Sequence, residues 1–377
     1  MNPLKKVGIA NLPLHHGRAP AWLVTRMRSL ASQIVTVIID EYGTDELLNR
    51  LSDSFWFQSL GCCLGYDWHS SGVTTVVTSV LKHAITPEEH GLAVAGGKGR
   101  FSRKTPEEIE AIGRVFEWSE GQVRSLQYAS RMSAKVDNTA LQAGYPLYHH
   151  AFFADREGRW VVIQQGMNVE DRTARRYHWL SHHVKSFVNE PHEAVVCDVT
   201  KERVLNMTAQ ESDGCRKAST DIINESPNRV KRLFTSLRHP DQETLERWID
   251  NEDPTRSYGM SVLSLPRHID WKALKKAYEA KPRDYEELLS IRGIGPATVR
   301  GLALVSEIIY GEAPSWRDPV KYSFAYGGKD GVPRPVDRRA MDESIRFLKD
   351  AIDRSKIGNK ERMRALRRLH PYAPKTR

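Results

Sequence analysis

Residues 285–300 read YEELLSIRGIGPATVR, and this stretch decides the fold of the C-terminal part of the chain. A helical pattern of apolar residues ends at Ile291, and a second one begins at Pro296, a residue that suits the first turn of a helix. Between them, two glycines separated by Ile294 allow a tight turn and a close approach to a neighbouring group. The stretch therefore predicts two helices within residues 284–310, joined by a short turn whose apolar residue packs into the core.

The turn between these helices predicts an anion site. Backbone N–H groups at the start of a helix have no acceptor within it, and the helix dipole favours a negative charge there. Two arginines, Arg292 and Arg300, would add positive charge beside these amides. The alternative is a plain connection between two core helices, for which a Gly-x-Gly sequence is equally suitable.

The pattern resembles the helix–hairpin–helix motif of DNA repair proteins. The resemblance implies that the turn holds the nucleic-acid backbone without reading the base sequence. RNA is an alternative partner to DNA, because backbone amides on a phosphate do not sense the 2′-hydroxyl. The residues that the resemblance assigns to nucleic-acid binding are Arg292, Gly293, Ile294, Gly295, Ala297, Thr298 and Arg300.

The composition of the chain also favours a polyanionic partner. The chain has 56 Lys and Arg against 47 Asp and Glu, and a net charge of +9 favours phosphate binding through counterion release. It has only 4 cysteines and no Cys-x-x-Cys pair, which argues against a cysteine-based zinc site and suits a reducing cytoplasm. Because we find neither a signal-peptide pattern nor an apolar run of membrane-helix length, we expect a cytoplasmic protein without membrane contact.

The pattern of helices and strands predicts an α+β fold with two domains. Residues 1–225 form a mixed α+β domain, and a hairpin over residues 147–165 is its clearest strand signal. Residues 72–81 fit either a strand or a buried helix, and the polar residues 208–228 indicate a linker or a long loop. Residues 226–377 form a helical domain that carries the turn and ends in a basic tail, which is either a solvated segment or a further phosphate contact.

A second resemblance concerns the residues that follow the turn. In base-excision glycosylases of the helix–hairpin–helix class, a Val-Asp pair after the hairpin starts another helix, and Val336-Asp337 is similar to it. The resemblance implies that Asp337 is a catalytic carboxylate, which stabilises positive charge on the sugar or activates water. The spacing from the turn is longer than in that class, and Ala297 stands where its lyases carry a lysine. Alternatively, Asp337 only caps a helix. Lys329, in the intervening loop, is a further candidate for a contact with phosphate.

Polar residues of the N-terminal part provide further candidates for chemistry. If the fold brings six of the polar residues together, they would act as acid, base and phosphate clamp of a nuclease or lyase: Lys98, Lys104, Lys135, Asp137, His149 and Gln164. The alternatives are that the adjacent histidines are structural, and that an Asp-His pair binds a metal ion. The candidate catalytic residues in this part are Asp67, His69, Lys135, Asp137 and His149.

Basic residues of the N-terminal part are candidates for nucleic-acid contacts. Lys98 lies in a glycine-rich stretch that we expect to be a loop able to hold a phosphate. Arg175 and Arg176 are followed by Tyr, His and Trp, a composition typical of a surface on which bases stack. A solvated face without a ligand is the alternative for both sets.

Several segments resemble the domain-of-unknown-function family numbered 763. The resemblance extends over nearly the whole chain and implies that the N-terminal part is the family's own domain. The family's description assigns no activity, so the resemblance adds no catalytic residue. The segments that carry it are residues 8–15, 20–23, 55–58, 67–72, 96–99, 164–167 and 327–331.

These features favour a DNA-processing enzyme of the repair type, either a nuclease or a DNA glycosylase. It would grip the phosphate backbone through the turn and cleave a phosphodiester or glycosidic bond, with a divalent metal ion as cofactor if it is a nuclease. One alternative is a non-catalytic module that binds DNA or RNA. Another is a hydrolase of nucleotides or other small molecules that the turn docks to DNA.

Overall fold

Helices cover both faces of a central antiparallel sheet in this protein. The sheet and its helices are seen in a computed structural model, which describes residues 21–66, 72–197, 199–236, 266, 269–320, 346–347, 349–354 and 365. The strands β-pair antiparallel, most of them follow one another along the chain, and helices and strands share the same cores, so the predicted α+β class is confirmed.

The helices and strands have the following bounds. The helices are α1 Ala21–Ser52 (bent at Gly43), α2 Ser54–Cys63, α3 Gly72–Ala84, α4 Pro87–His90, α5 Thr105–Phe116, α6 Glu120–Lys135, α7 Asp213–Asn224, α8 Pro227–Ser236, α9 Trp271–Ala280, α10 Tyr285–Ser290 and α11 Pro296–Tyr310. The strands are β1 Leu92–Lys98, β2 Leu141–Gln142, β3 Leu147–Asp155, β4 Trp160–Asn168, β5 Thr173–Leu180, β6 Ala194–Cys197 and β7 Leu205–Asn206. Short 3-10 helices occupy Gly99–Lys104 and Gln210–Ser212, and a π-helical turn, Val136–Ala140, follows α6. None of the described helices combines the length and apolar character that crossing a membrane requires.

The sheet has the strand order β1-β3-β4-β5-β6, and each neighbouring pair is antiparallel. The hairpin predicted over residues 147–165 is confirmed, because β3 and β4 pair with His150 opposite Gln164. β1 lies on the outer side of β3 and places Lys98 opposite His149. The prediction of a glycine-rich loop at residues 96–99 is therefore wrong for residues 96–98, which are the last residues of this strand. β2 and β7 form a separate two-stranded sheet.

Alternating side chains of the sheet pack into two hydrophobic layers. Val94, Phe153 and Ile163 face the layer that contains α1, α2 and α3. Phe152 and Val162 face the opposite layer, which they share with α5, α6, α7 and the helices α9 to α11. Because both faces are covered, polar side chains on the central strands are buried as well.

Two helices occupy stretches that the sequence left open or assigned to a loop. Residues 72–81, which fit a strand or a buried helix, belong to α3. The prediction of a linker or loop over residues 208–228 is wrong, because α7 fills its centre. The buried side of this helix contains small and polar residues, so the sequence shows no clear apolar pattern there. Its buried residues follow the helical spacing i, i+4, i+7 and i+8 as Cys215, Ser219, Ile222 and Ile223.

The predicted domain boundary near residue 225 falls at the end of α7. This helix packs against α11, and Cys215 Sγ lies 3.9 Å from the Ala303 carbonyl oxygen. One buried cluster contains sheet residues such as Phe152 together with Leu302 of α11. The helices after residue 225 therefore complete a core that begins in the sheet.

Candidate functional site

The turn between α10 and α11 is short and partly exposed. Gly293 is exposed and has a φ of +100°, a conformation that residues with side chains disfavour. A Cβ atom on Gly293 would lie 2.7 Å from Ala273 Cβ, so this glycine also lets the turn touch α9. Ile294 is fully buried, whereas Gly295 has an extended backbone that any residue adopts. Gly293 therefore needs to be glycine for its conformation, and Gly295 does not.

The start of α11 presents backbone amides at this turn. The first hydrogen bond of the helix runs from Val299 N–H to the Gly295 carbonyl oxygen, at 3.0 Å. The amides of Gly295, Ala297 and Thr298 precede it, so they have no acceptor within the helix. The dipole of α11 places its positive end here, and the exposed Arg292 adds a full positive charge to the same turn. The turn thus has the groups that an anion needs.

Two residues predicted to contact nucleic acid have buried side chains. The side chain of Thr298 lies in the core, which leaves only its amide near the turn. Arg300 is also buried, and its Nη1 donates a hydrogen bond to Gln142 Oε1 at 3.3 Å. Burial lowers the pKa of Arg300. The prediction that Arg300 adds charge beside a phosphate is therefore wrong, because this side chain joins α11 to β2.

Basic side chains of α9 lie beside the turn. Ala273 of this helix contacts the turn at Gly293. Lys272 precedes Ala273 directly, and Lys276 lies one helical turn after Lys272. Both lysines are exposed. Asp270 caps the helix by accepting a hydrogen bond from Ala273 N–H at 3.0 Å. Positive charge therefore extends from Arg292 along α9.

Lys135, a predicted catalytic residue, contacts the turn from the other side. It is the last residue of α6, and its Nζ donates to the Ile291 carbonyl oxygen at 3.4 Å. Burial lowers its pKa. Arg131 lies one helical turn earlier on α6 and is exposed. The structure thus gives Lys135 a contact that positions the turn, and places a further cation next to it.

The sheet separates the other predicted residues of the N-terminal part into two clusters. Lys98 lies opposite His149, and His149 lies opposite Gln165, so these three side chains share one face of the sheet. Gln164 points to the opposite face, where it contacts Asp137. The predicted convergence of all these residues in one site is therefore wrong.

The first cluster centres on Asp137. The π-helical turn that follows α6 carries this residue into the core beneath the sheet. Its carboxylate accepts hydrogen bonds from Gln164 Nε2, Trp179 Nε1 and His192 Nε2. Three donors satisfy the group where water does not reach it. Asp137 is therefore a buried partner of Gln164 and His192, and its contact with a substrate stays a prediction.

The same cluster also contains His150, which contacts Gln164, and Ser130, which contacts His150. Gln164 Nε2 also donates to the Ser133 carbonyl oxygen at 3.0 Å, so its Oε1 accepts a hydrogen bond from His150 Nδ1 at 2.7 Å. This orientation leaves His150 Nε2 as an acceptor, and Ser130 Oγ lies 2.9 Å from it. Burial lowers the pKa of His150, which keeps the ring neutral near pH 7.

The second cluster surrounds His149. Its Nε2 lies 2.8 Å from Thr78 Oγ1, and that hydroxyl donates to the Thr74 carbonyl oxygen at 2.7 Å. His149 Nε2 therefore carries the hydrogen, and Nδ1 is a buried acceptor without a partner among the described residues. Burial first, then His150 and Lys98, lower the pKa of His149 to about 3. The ring is neutral at physiological pH.

A cavity of about 380 Å³ lies where the two clusters meet the surface. It is in the size range of small-ligand sites. Its two arginines are exposed, whereas the histidines and one serine are buried. The polar residues that line it are Ser102, Arg103, Ser130, Arg131, His149 and His150.

Arg175 and Arg176 do not form the predicted stacking surface. Both lie on β5, a central strand whose two faces are covered, and both are fully buried. Arg175 Nη2 donates to Asp318 Oδ2 at 2.7 Å, and its guanidinium lies over the Tyr145 ring. Arg176 Nη1 donates to Gln58 Oε1 at 2.9 Å. This prediction is wrong because alternation on a central strand sends both side chains into the core.

Four predicted residues lie outside the described part of the chain, so their roles stay predictions. They are Asp67, His69, Lys329 and Asp337. Among the residues that the structure does describe, no three His, Cys, Asp or Glu side chains are grouped as a metal site would need. A divalent ion as cofactor of a nuclease therefore also stays a prediction.

Three residues of the Asp137 cluster were not candidates for catalysis in the sequence, namely Ser130, Trp179 and His192. They come from a helix, a strand and a loop, and they meet only because β4 pairs with β3 on one side and with β5 on the other. The sequence offered one signal for this cluster, the alternation of side chains between the two faces of a strand. His150 and Gln164, opposite each other in the confirmed hairpin, must point to the same face.

A family model covers most of the chain. Residues 8–336 match the model of a family described as "Protein of unknown function (DUF763)". No curated protein and no solved structure matches the chain. The matched range contains the cavity, both clusters and the turn, so the family model spans all of them.

Proposed function

The chain belongs to the DUF763 family, and from that premise we propose that it is a DNA-processing enzyme of the repair type. It binds the phosphate backbone without sequence preference through the turn at 291–298 and cleaves a phosphodiester or glycosidic bond in the bound strand. The observation that carries the proposal is the exposed turn at Gly293, where α11 begins with amides that have no acceptor within the helix.

A phosphate group would meet complementary donors at this turn. The amides of Gly295, Ala297 and Thr298 would each donate to a phosphate oxygen, and the dipole of α11 adds to the attraction. Arg292 is exposed and supplies a charge that the amides lack. Contacts of these groups with phosphate would fix the register of the strand and leave its sequence unread.

Cations on both sides of the turn would extend the contact along a strand. Lys272 and Lys276 lie on α9, which touches the turn. In the other direction, Lys135 contacts the turn, and Arg131 on the same helix lines the cavity. A strand held at the turn would therefore follow α6 toward the cavity. Each neutralised phosphate would add to the salt dependence of binding.

The binding part of the proposal is tested by fluorescence anisotropy with labelled DNA at several salt concentrations. Gly295→Asp places a negative charge where the phosphate would bind, and we expect a loss of affinity of about tenfold or more on every sequence. Gly295→Ala is the matched control, because the position is extended and an added Cβ has no contact closer than 3.9 Å. Equal affinities of the two variants would exclude this turn as the binding site. Matched RNA in the same titration decides between DNA and RNA.

The cleavage part is tested with labelled single-stranded, duplex, branched and base-damaged DNA, with and without divalent metal ions. Products are resolved on denaturing gels before and after alkali. Breaks before alkali indicate a nuclease, and their response to metal ions shows whether an ion is required. Breaks that appear only after alkali indicate a glycosylase. Binding without breakage on any of these substrates would contradict the enzyme and leave a binding module.

A further inference from the structure

We propose that Ser130 is the nucleophile of a phosphodiesterase site in the cavity beside α6, with His150 as its general base. The inference rests on the proposed function for its substrate class, because a nucleic acid supplies the phosphodiester. The bond that is cleaved would then be the phosphodiester bond and not the glycosidic bond. Ser130 and His150 lie on α6 and β3, outside the turn.

The geometry around His150 is that of an activated serine. Ser130 Oγ lies 2.9 Å from His150 Nε2, within the range in which a base takes a proton from a nucleophile. The opposite nitrogen, Nδ1, donates to Gln164 Oε1 at 2.7 Å, which fixes the tautomer and the direction of the ring. A nucleophile, a base and a third group that orients the base are the parts this chemistry requires.

The interior of the protein supports the charge that His150 would acquire. A proton on Nε2 makes the ring a cation inside the core, where an isolated charge is costly. Asp137 lies on the far side of Gln164, which donates to its carboxylate. The attraction of Asp137 raises the pKa of His150 and opposes part of the larger effect of burial. The ring is therefore neutral at rest and has a carboxylate within its cluster when it takes the proton.

The cavity next to Ser130 favours a phosphorus centre over a carbon centre. Arg103 and Arg131 line it together with Ser130 and His150. Both arginines are exposed, and neither forms an ion pair among the described residues, so both are available to an anionic ligand. Guanidinium groups match the geometry of phosphate oxygens and stabilise the charge that builds on them during transfer.

The reaction would proceed in two balanced steps. In the first, Ser130 Oγ bonds to phosphorus, the bond from phosphorus to one backbone oxygen breaks, and the serine proton passes through His150 Nε2 to that leaving oxygen. In the second, water loses a proton to His150 and attacks the phosphoserine. The bond between Oγ and phosphorus breaks, and His150 returns the proton to Oγ. The products are a hydroxyl end and a phosphate monoester, and water is the co-reactant.

The test is covalent labelling of the full chain with an alkyl fluorophosphonate. This probe forms a bond between phosphorus and a nucleophilic Oγ, and fluoride and the serine proton leave together. We expect the label on Ser130, which trypsin releases in the peptide Ser125–Arg131. Fragmentation of this peptide distinguishes Ser130 from Ser125 and Tyr128. An unlabelled Ser130 under conditions that label an ordinary serine hydrolase would overturn the proposal.

Variants separate nucleophilic reactivity from mere exposure. Ser130→Ala removes the label, whereas Ser125→Ala, on the same helix and exposed, keeps it. His150→Gln slows labelling of Ser130 by about 100-fold or more, the lower end of the usual contribution of a general base. Equal labelling of His150→Gln and the natural protein would overturn the role of His150. Thermal unfolding of each variant confirms that it is folded.

Gln164 is a positioning residue in this scheme, and its role has a separate readout. Gln164→Leu removes the acceptor of His150 Nδ1–H, so we expect slower labelling and a midpoint of its pH profile shifted to lower pH, since that hydrogen bond raises the pKa of His150. A variant that is folded and keeps both the rate and the midpoint would contradict the positioning role.

The two proposals can fail independently. The fluorophosphonate carries no nucleic acid, so Gly295→Asp should lose DNA affinity and keep the label on Ser130. Ser130→Ala should keep DNA affinity and its salt dependence but lose strand cleavage. Cleavage that survives Ser130→Ala would overturn the serine nucleophile and leave the binding proposal standing.

Discussion

Tyr128 of α6 and Glu286 of α10 are joined by a hydrogen bond, in which the Tyr128 hydroxyl donates to Glu286 Oε1 at 2.9 Å. Glu286 Oε2 also accepts from Phe187 N–H at 3.3 Å. Burial and the neighbouring Glu286 raise the pKa of Tyr128, so its hydroxyl remains a donor across the physiological range. Because α6 also carries Ser130 and α10 leads into the turn, this bond connects the helix beside the cavity with the turn at Gly293.

Removal of that hydroxyl should weaken the packing of α6 on α10. We expect Tyr128→Phe to lower the free energy of unfolding by about 1 kcal/mol, because a partly buried carboxylate oxygen of Glu286 loses its donor. Urea unfolding measures the change. Tyr278→Phe on α9, which keeps the ring that contacts Lys281, is the control. Identical unfolding midpoints for Tyr128→Phe and the natural protein would contradict a stabilising role of the bond.

The two glycines of the turn should differ in their tolerance of alanine. Gly293→Ala forces a side chain into a φ of +100° and against Ala273, so we expect a loss of stability of about 1–3 kcal/mol. Gly295→Ala should change stability by less than about 0.5 kcal/mol, since its backbone is extended and its surroundings are open. Chemical unfolding of both variants compares them. Similar losses at the two positions would show that the turn differs from the one described.

The lysines of α9 should contribute to the salt dependence of DNA binding. Lys276→Met removes an exposed charge beside the turn, and we expect the slope of log affinity against log salt to fall by about 1. Lys217→Met is the control, because this exposed lysine of α7 pairs with Asp213 at 2.7 Å. An unchanged slope for Lys276→Met would exclude α9 from the interface.

Acid should destabilise the fold through His149. Its pKa is about 3 in the folded protein against an ordinary value of 6.5, so the unfolded chain binds an extra proton between these values. Stability is unaffected by this group above pH 6.5 and falls as the pH drops from 6.5 toward 3, by about 1.4 kcal/mol per pH unit. His149→Gln should flatten the decline by that amount. Urea unfolding at pH 7, 6 and 5 tests this, and parallel curves for the two proteins would contradict it.

Patterns within a few residues of sequence were sufficient to predict those helices and strands whose formation depends on neighbouring residues. The helices on either side of Gly293 and the hairpin around His150 follow from spacing within a few residues, and both are present. The basic pair Arg175 and Arg176 misled the prediction, because composition does not reveal whether a strand lies at the centre or the edge of a sheet. Both arginines are buried because β6 pairs with the outer edge of β5, the strand that carries them.

The contacts of Ser130, His150 and Gln164 in the Asp137 cluster could not be predicted from one sequence, for a different reason. Ser130, His150 and Gln164 lie on three elements, and their contacts depend on the register of β3 against β4 and on how α6 crosses the sheet. A serine in a helix carries no signal of its own, and a shift of one residue in register would have turned His149, not His150, toward α6.

The core shared by the sheet and α11 has a consequence for synthesis on the ribosome. Among the described residues the last strand ends at Asn206, but the second face of the five-stranded sheet is complete only when Leu302 and its neighbours pack against it. About a hundred residues must therefore be translated after the last strand before that apolar face is fully covered. The nascent chain holds an unfinished core for this period, and a chain truncated near residue 225 would carry that exposed surface permanently.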